Sequence, residues 1–109
     1  MSSIAIADEW VKTASLFGTV ENVIKEALRK YSIDQCQQHI NKAASHITQY
    51  QQKYQCNYDH FHKSVQLDEE FLMRIEAQNP LWEEDAMEWG YWIEEQQEWL
   101  NRLGDILQR

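Results

Sequence analysis

An unbroken helical periodicity in the middle of the chain limits its fold more than any other sequence feature. Over residues 33–54, apolar side chains follow one another at alternating spacings of three and four. The members of this seam are Ile33, Cys36, Ile40, Ala43, Ile47, Tyr50 and Tyr54. Such spacing places all of them on one side of an α-helix, as a narrow strip that packs against another helix. The sequence therefore predicts a long helix with a helical partner.

Helical periodicity also precedes and follows this seam. Apolar residues recur at threes and fours over residues 20–31 in a different phase, so the helix either breaks at Ser32 or turns a new face to a new neighbour there. We favour one long helix, because nothing at Ser32 forbids continuation. Further helices are predicted over residues 9–17 after Asp8 as the cap, around residues 58–62, after Asp68, and over residues 81–107.

The scarcity of turn-forming residues limits the number of elements. The 109 residues include 3 Gly and 1 Pro, and 43% are hydrophobic, enough for one folded core. This excludes a many-stranded sandwich and favours a single domain, residues 1–109, of a few long helices. Only residues 3–7 alternate in the manner of a short strand. The sequence lacks a membrane-spanning apolar run and a signal-peptide pattern, so a cytoplasmic location is expected.

Charge divides the chain into unequal halves. The net charge is −8, and residues 1–56 carry +1 whereas residues 57–109 carry −9. An acidic half repels nucleic acid and suits a basic protein partner, although acidic helix faces also serve simply to keep a small protein soluble.

The polar side chains give no sign of a catalytic centre. No serine lies in a nucleophile elbow, no glycine-rich loop could hold a phosphate, and Cys36 lacks basic neighbours that would activate it. Cys36 and His39 lie three residues apart, as metal ligands can, and His60 could add a third, but no spacing typical of zinc proteins occurs. We therefore predict no enzyme, no cofactor and no metal, and keep a metal-binding or sensory domain as the weakest alternative.

The last predicted helix holds four of the five tryptophans. Trp82 and Trp89 lie seven residues apart on one line, and Trp92 and Trp99 lie seven apart on the adjoining line. Aromatic stripes usually fill a core, yet five tryptophans exceed what a small core normally takes, and tryptophan is enriched at binding hot spots. The partner-binding residues predicted here are Trp82, Trp89, Trp92 and Trp99, with Glu88 and Glu95 beside them.

The order of elements in residues 3–31 resembles the ribbon-helix-helix domain of small bacterial repressors and antitoxins. A short strand, a short helix and a turn at Gly18 and Thr19 lead to a second helix, which ends in Ala-Leu-Arg-Lys-Tyr at residues 27–31. Residues 42–107 also resemble small helical antitoxin-like proteins of prokaryotes. The resemblance implies a homodimer in which strands of two chains pair into a ribbon that enters DNA, while a C-terminal extension binds and silences a toxin.

Specific residues follow from this resemblance. Dimerisation would involve Ile4, Ile6, Ile24 and Leu28. The positions that face DNA in the family would be Ser3, Ala5 and Ala7, whose side chains cannot make bidentate contacts with bases. The phosphate anchor at the start of the second helix, near Thr19, is chemically intact. The resemblance thus implies a ribbon whose DNA binding is weak or lost.

Together these observations predict a mainly α protein, with a short N-terminal strand and long helices forming a dimeric bundle. Its predicted function is that of an antitoxin-like regulatory subunit, which dimerises through residues 3–31 and neutralises a basic toxin with residues 32–109. The alternative is a self-assembling helical bundle without a toxin, held together by the seam and the tryptophan helix.

Overall fold

The computed structural model describes residues 6–109, and these fold into helices connected by short turns. The helices are α1 (Asp8–Ser15), α2 (Val20–Tyr54), α3 (Tyr58–Leu67), α4 (Glu69–Gln78) and α5 (Trp82–Leu107). The 35 residues of α2 correspond to a rod about 52 Å long. The remaining helices pack along this rod or at its ends.

Helices α2 and α5 form a long antiparallel pair. Tyr50 contacts Trp89 near the C-terminal end of α2, whereas His39, further toward the N-terminus, contacts Trp99. Helices α3 and α4 pack on each other beside the C-terminal end of α2, and α1 packs on its N-terminal part. The seam predicted over residues 33–54 therefore has its helical partner within the same chain.

Local side chains explain where the helices begin. The Thr19 side chain accepts a hydrogen bond from the Asn22 amide at the start of α2, and Asn57 does the same for His60 at the start of α3. Asp68 accepts from two amides of the first turn of α4. Each cap satisfies backbone donors that have no partner within the helix, which typically stabilises it by about 1 kcal/mol.

The hydrophobic core lies at the end of the molecule where four helices meet. Its buried members are Tyr54, Phe61, Phe71, Ile75 and Trp89. They come from α2, α3, α4 and α5, so α3 and α4 close one end of the α2–α5 pair. The other end of α2 extends beyond α5 and carries α1.

Several predicted boundaries need correction. Ile6 and Ala7 have no regular structure, and the described residues contain no strand; residues 3–5 of the predicted strand lie outside them. A strand needs a second strand to pair with, and the described residues offer none to Ile6 and Ala7. Helix α1 begins at Asp8 without a side-chain cap, and α3 is longer than the short turn predicted at residues 58–62.

The uninterrupted helix α2 gives the described residues an elongated shape. Helix α2 continues through Ser32 without a break, as we favoured. The described residues extend over 67 × 26 × 24 Å with a radius of gyration of 21.9 Å. A compact chain of this length would have a radius of gyration of about 13 Å. The protein is thus a rod with one four-helix end rather than a globule.

Candidate protein-binding surfaces

The free end of the rod exposes apolar side chains. We call residues 6–30, which comprise α1 and the first part of α2, the arm. None of its residues is buried. Phe17 and Leu16 are 78% and 79% exposed, and Trp10 and Leu28 are each about 60% exposed. Large exposed apolar side chains concentrated in one segment of a chain are a common feature of protein interfaces.

The predicted dimerisation residues fall partly on this arm. Ile6 and Leu28 are exposed and Ile24 is half-buried, whereas Ile4 lies outside the described residues. Thr19, predicted near a phosphate contact, caps α2, while Ser3 and Ala5 lie outside the described residues.

Charge separates the arm from the remainder of the chain, residues 31–109, which we call the body. The arm carries four acidic and four basic side chains and is neutral. The body carries fourteen acidic against six basic side chains and therefore the whole net charge of −8. Two bodies repel each other, whereas two arms do not.

Two of the predicted anchor tryptophans are stacked on histidines between α2 and α5. The rings of His39 and Trp99 lie 3.9 Å apart between centroids and 3° from parallel. The rings of His46 and Trp92 lie 4.0 Å apart and 1° from parallel. Both tryptophans remain half-buried and keep some contact with solvent, and the Arg102 guanidinium also lies over the Trp99 ring, 4.4 Å from its centroid.

Heptad spacing produces these stacks. His39, His46 and Lys53 follow one another at intervals of seven on α2, and each faces Trp99, Trp92 or Asp85, spaced by seven in the opposite direction on α5. Sequence reasoning considered His39 only as a metal ligand and missed this ladder. The sequence contains the pattern that predicts this ladder, because the heptad series of α2 matches the heptad series of α5 when the two helices run antiparallel.

Trp89 lies at the centre of the core. It is fully buried and contacts Tyr50, Tyr54, Tyr58 and Phe61. Its indole N–H has no hydrogen-bond partner among the described residues. In this structure Trp89 therefore packs the interior, while Trp82 is only half-buried beside it.

A polar network around Asp85 fixes the ends of α2 and α5. The Asp85 carboxylate accepts hydrogen bonds from Lys53 (2.6 Å), Tyr54 (2.5 Å) and Asn79 (3.0 Å). Burial alone would raise the pKa of this carboxyl, but the hydrogen bonds outweigh burial and lower the pKa below its usual value. Burial and the bond to Asp85 raise the pKa of Tyr54 to about 12.

The outer surface of α5 is acidic. Helix α5 contains eight Asp and Glu residues and a single basic residue, Arg102. Glu88, one of the predicted partner-binding residues, accepts a hydrogen bond from Tyr50, and Glu95 is half-buried. Met87 and Tyr91 lie among the acids and are 77% and 52% exposed. This surface thus combines negative charge with accessible apolar side chains.

The cysteines and histidines do not gather into a metal-binding group. Cys36 is buried in α2 and Cys56 is half-buried after it, and both are free thiols. His60 lies on α3, close to Phe71 rather than to His39. Within residues 6–109, no three side chains of His, Cys, Asp or Glu are grouped closely enough to hold a metal ion.

No helix in residues 6–109 combines the length and the apolar character needed to cross a membrane. Comparisons of the chain with protein-family models, with curated proteins and with solved structures gave no match.

Proposed function

We propose that this chain is a non-catalytic regulatory subunit of the antitoxin type. Two copies join through the neutral arm, and the acidic body of each copy binds a basic, toxin-like protein. The observation that carries this proposal is the contrast between the two parts of the rod. The arm exposes apolar side chains without net charge, whereas the body has its own core and carries the net charge of −8.

The arm suits a second copy of the chain for two reasons. Burial of its exposed apolar side chains would stabilise a complex by roughly 25 cal/mol per Å² of apolar area removed from water. Its charge balance allows two arms to approach without repulsion, and the elongated shape keeps the two acidic bodies apart. A dimer joined through the arms would leave both bodies accessible to other partners.

The alternative function, a bundle assembled through the seam, has less support. In that arrangement the α2 seam would bind another chain. Two members of the seam, Cys36 and Ala43, are already buried within the single chain. His46 on the same helix stacks on Trp92 of α5. A seam-mediated dimer would first require α5 to detach.

Analytical ultracentrifugation at micromolar concentration tests the dimer. The wild-type chain is expected to sediment at about twice 13.1 kDa. Phe17→Ser combined with Leu28→Ser removes two exposed apolar side chains of the arm and should give a monomer. Leu67→Ser combined with Met73→Ser is the matched control, because these side chains are at least as exposed on average but lie on the body. A monomeric wild type, or equal effects of both pairs, would contradict the proposed dimer.

The partner half of the proposal has its own test. The chain would be co-expressed with the product of an adjacent small basic open reading frame, and the two proteins purified together. A complex that dissociates as the ionic strength rises supports the acidic body as the binding surface. Absence of any complex with such a product contradicts it.

A further inference from the structure

A groove runs between α3 and α5 on the body. Its floor is apolar and includes Phe61, which is fully buried, and the half-buried Val65 and Trp82. Met87 and Glu83 form part of its rim, and Met87 is 77% exposed. Its volume of about 320 Å³ is small and accommodates one or two side chains rather than a cofactor.

The charges around this groove favour a basic occupant. None of the residues that line it is Lys or Arg, and Glu83 lies on its rim. The same helix continues with Glu84 and six further acidic residues against a single Arg102. An apolar floor with an acidic rim is complementary to an apolar side chain flanked by Lys or Arg.

Each of the other well-formed grooves in residues 6–109 has at least one Lys or Arg in its lining. The groove near the end of α5 has three basic residues in its lining, Lys25, Arg29 and Arg109, against one acidic residue, Glu26. The groove beside the C-terminal end of α2 is lined by Lys53 and Arg74. Like charges at these rims would oppose a basic partner, so among the grooves of residues 6–109 the α3–α5 groove fits a basic partner best.

We propose that the α3–α5 groove binds an amphipathic, basic helix of a partner protein. An apolar side chain of that helix enters the groove over Trp82 and Phe61, and a neighbouring Lys or Arg pairs with Glu83. A helix is the expected form, because a third helix fits the channel between two helices and presents apolar side chains at spacings of three and four. The flexible Met87 side chain adapts to the entering group. This inference rests on the proposed function, since it locates the binding of the basic partner.

A designed peptide can serve as the probe. It has about 14 residues, or roughly 21 Å of helix, with Leu on one face and Lys on the other. The control peptide has the same composition in an order that distributes Leu around the helix. Isothermal titration calorimetry with the full-length chain measures the affinity of both peptides. The proposal predicts that the amphipathic peptide binds more tightly than the control peptide.

Two matched pairs of variants locate the binding. Met87→Lys places a positive charge on the groove rim, and Met73→Lys makes the same change at an exposed position of α4 outside the groove. Glu83→Gln removes the rim carboxylate, and Glu94→Gln removes an exposed carboxylate elsewhere on α5. All four positions are exposed, so the fold should be retained, which circular dichroism confirms. We expect Met87→Lys to weaken binding about tenfold and Met73→Lys no more than about twofold.

The possible outcomes separate this inference from the proposed function. Selective weakening by Met87→Lys and Glu83→Gln supports the groove. Equal weakening by both members of each pair overturns the groove but retains an acidic body that attracts basic partners. Loss of binding in Phe17→Ser places the peptide on the arm and also overturns the groove. If the amphipathic peptide does not bind even at low salt, the groove fails, while co-expression still decides the basic partner and sedimentation decides the dimer.

Discussion

At the scale of single residues, Trp89 has the largest predicted effect on stability. It is fully buried among four aromatic rings, so Trp89→Ala leaves a cavity that its neighbours cannot fill. We expect the free energy of unfolding to fall by about 3–5 kcal/mol, measured by urea denaturation. Trp10→Ala is the control, because Trp10 is 61% exposed and its loss should change stability by less than about 0.5 kcal/mol. Equal losses in the two variants would show that this core is not the source of stability.

The stacked tryptophans should behave differently from Trp89. Trp92 and Trp99 each cover a histidine ring and remain half-buried. A stacked aromatic pair contributes about 0.5–1.5 kcal/mol beyond its buried area. Their replacement by alanine should therefore destabilise the fold less than Trp89→Ala, leaving them available as the partner anchors that the sequence predicts.

Asp85 makes the stability of the chain depend on acid. Its pKa is lowered in the folded state, so its contribution is present above the ordinary carboxyl pKa of about 4 and is lost as the pH falls through the lower folded value. Asp85→Asn should reduce the free energy of unfolding at pH 7 by about 1–3 kcal/mol, since it removes charge-assisted hydrogen bonds from Lys53 and Tyr54. Urea denaturation from pH 7 to pH 2 should show a flatter acid limb in this variant. An acid limb identical to the wild type would mean that other carboxyls govern it.

Tyr54 produces the opposite dependence at alkaline pH. Its folded pKa is raised to about 12, so its contribution is present below the ordinary tyrosine pKa of about 10 and is lost as the pH rises toward 12. Tyr54→Phe therefore provides an internal comparison for Asp85→Asn. The free energy of unfolding of Tyr54→Phe should change less than that of the wild type between about pH 10 and pH 12, because the ionising hydroxyl is absent.

At the scale of helices, two glycines of α5 allow a matched test of packing. Glycine within a helix is less stable than alanine by about 0.5–1 kcal/mol. A Cβ at Gly104 would meet no atom within 4 Å, so Gly104→Ala should gain this amount in thermal or urea denaturation. A Cβ at Gly90 would lie 3.0 Å from the Tyr58 hydroxyl oxygen, so Gly90→Ala should gain less or lose stability. Adding Tyr58→Phe should restore the gain; if it does not, the close approach of α3 to α5 is not the cause.

Most helices could be predicted from the sequence because their signals are local. Thr19 and Asp68 are capping residues, and a strict seam over residues 33–54 requires a helix. The identity of the seam's partner could not be predicted, since periodicity shows that a helix has a neighbour but not whether the neighbour belongs to the same chain. The stacking of His39 on Trp99 could not be predicted for the same reason, because it requires that the partner helix be α5 of the same chain. The predicted strand was not local in this sense either, because a strand requires pairing with a second strand.

At the scale of the whole molecule, shape and charge together organise the proposed binding. The long α2 rod belongs both to the neutral arm and to the acidic body, so one helix connects the two proposed interfaces. The sequence predicted a basic partner from the acidic half of the chain, but the α3–α5 groove required the structure. The residues that line this groove come from α3 and α5, which are separated along the chain and adjacent only in the folded protein. No spacing rule in the sequence places these residues together.

The same distribution of charge predicts weak binding to DNA by the isolated protein. Ser3 and Ala5, where the ribbon-helix-helix resemblance places the base contacts, cannot make bidentate hydrogen bonds, and the body carries −8. Each phosphate that the protein neutralises adds about 0.9 to the steepness with which the logarithm of the binding constant falls with the logarithm of the salt concentration. The arm offers only four Lys or Arg residues per chain for this purpose. Fluorescence anisotropy with a duplex from the region upstream of the coding sequence, and with a scrambled duplex, should give similar dissociation constants no tighter than about 10⁻⁶ M at physiological salt. Nanomolar affinity for the upstream duplex alone would show that the N-terminal residues do read DNA, and that the negative body is held far enough from the duplex not to oppose binding.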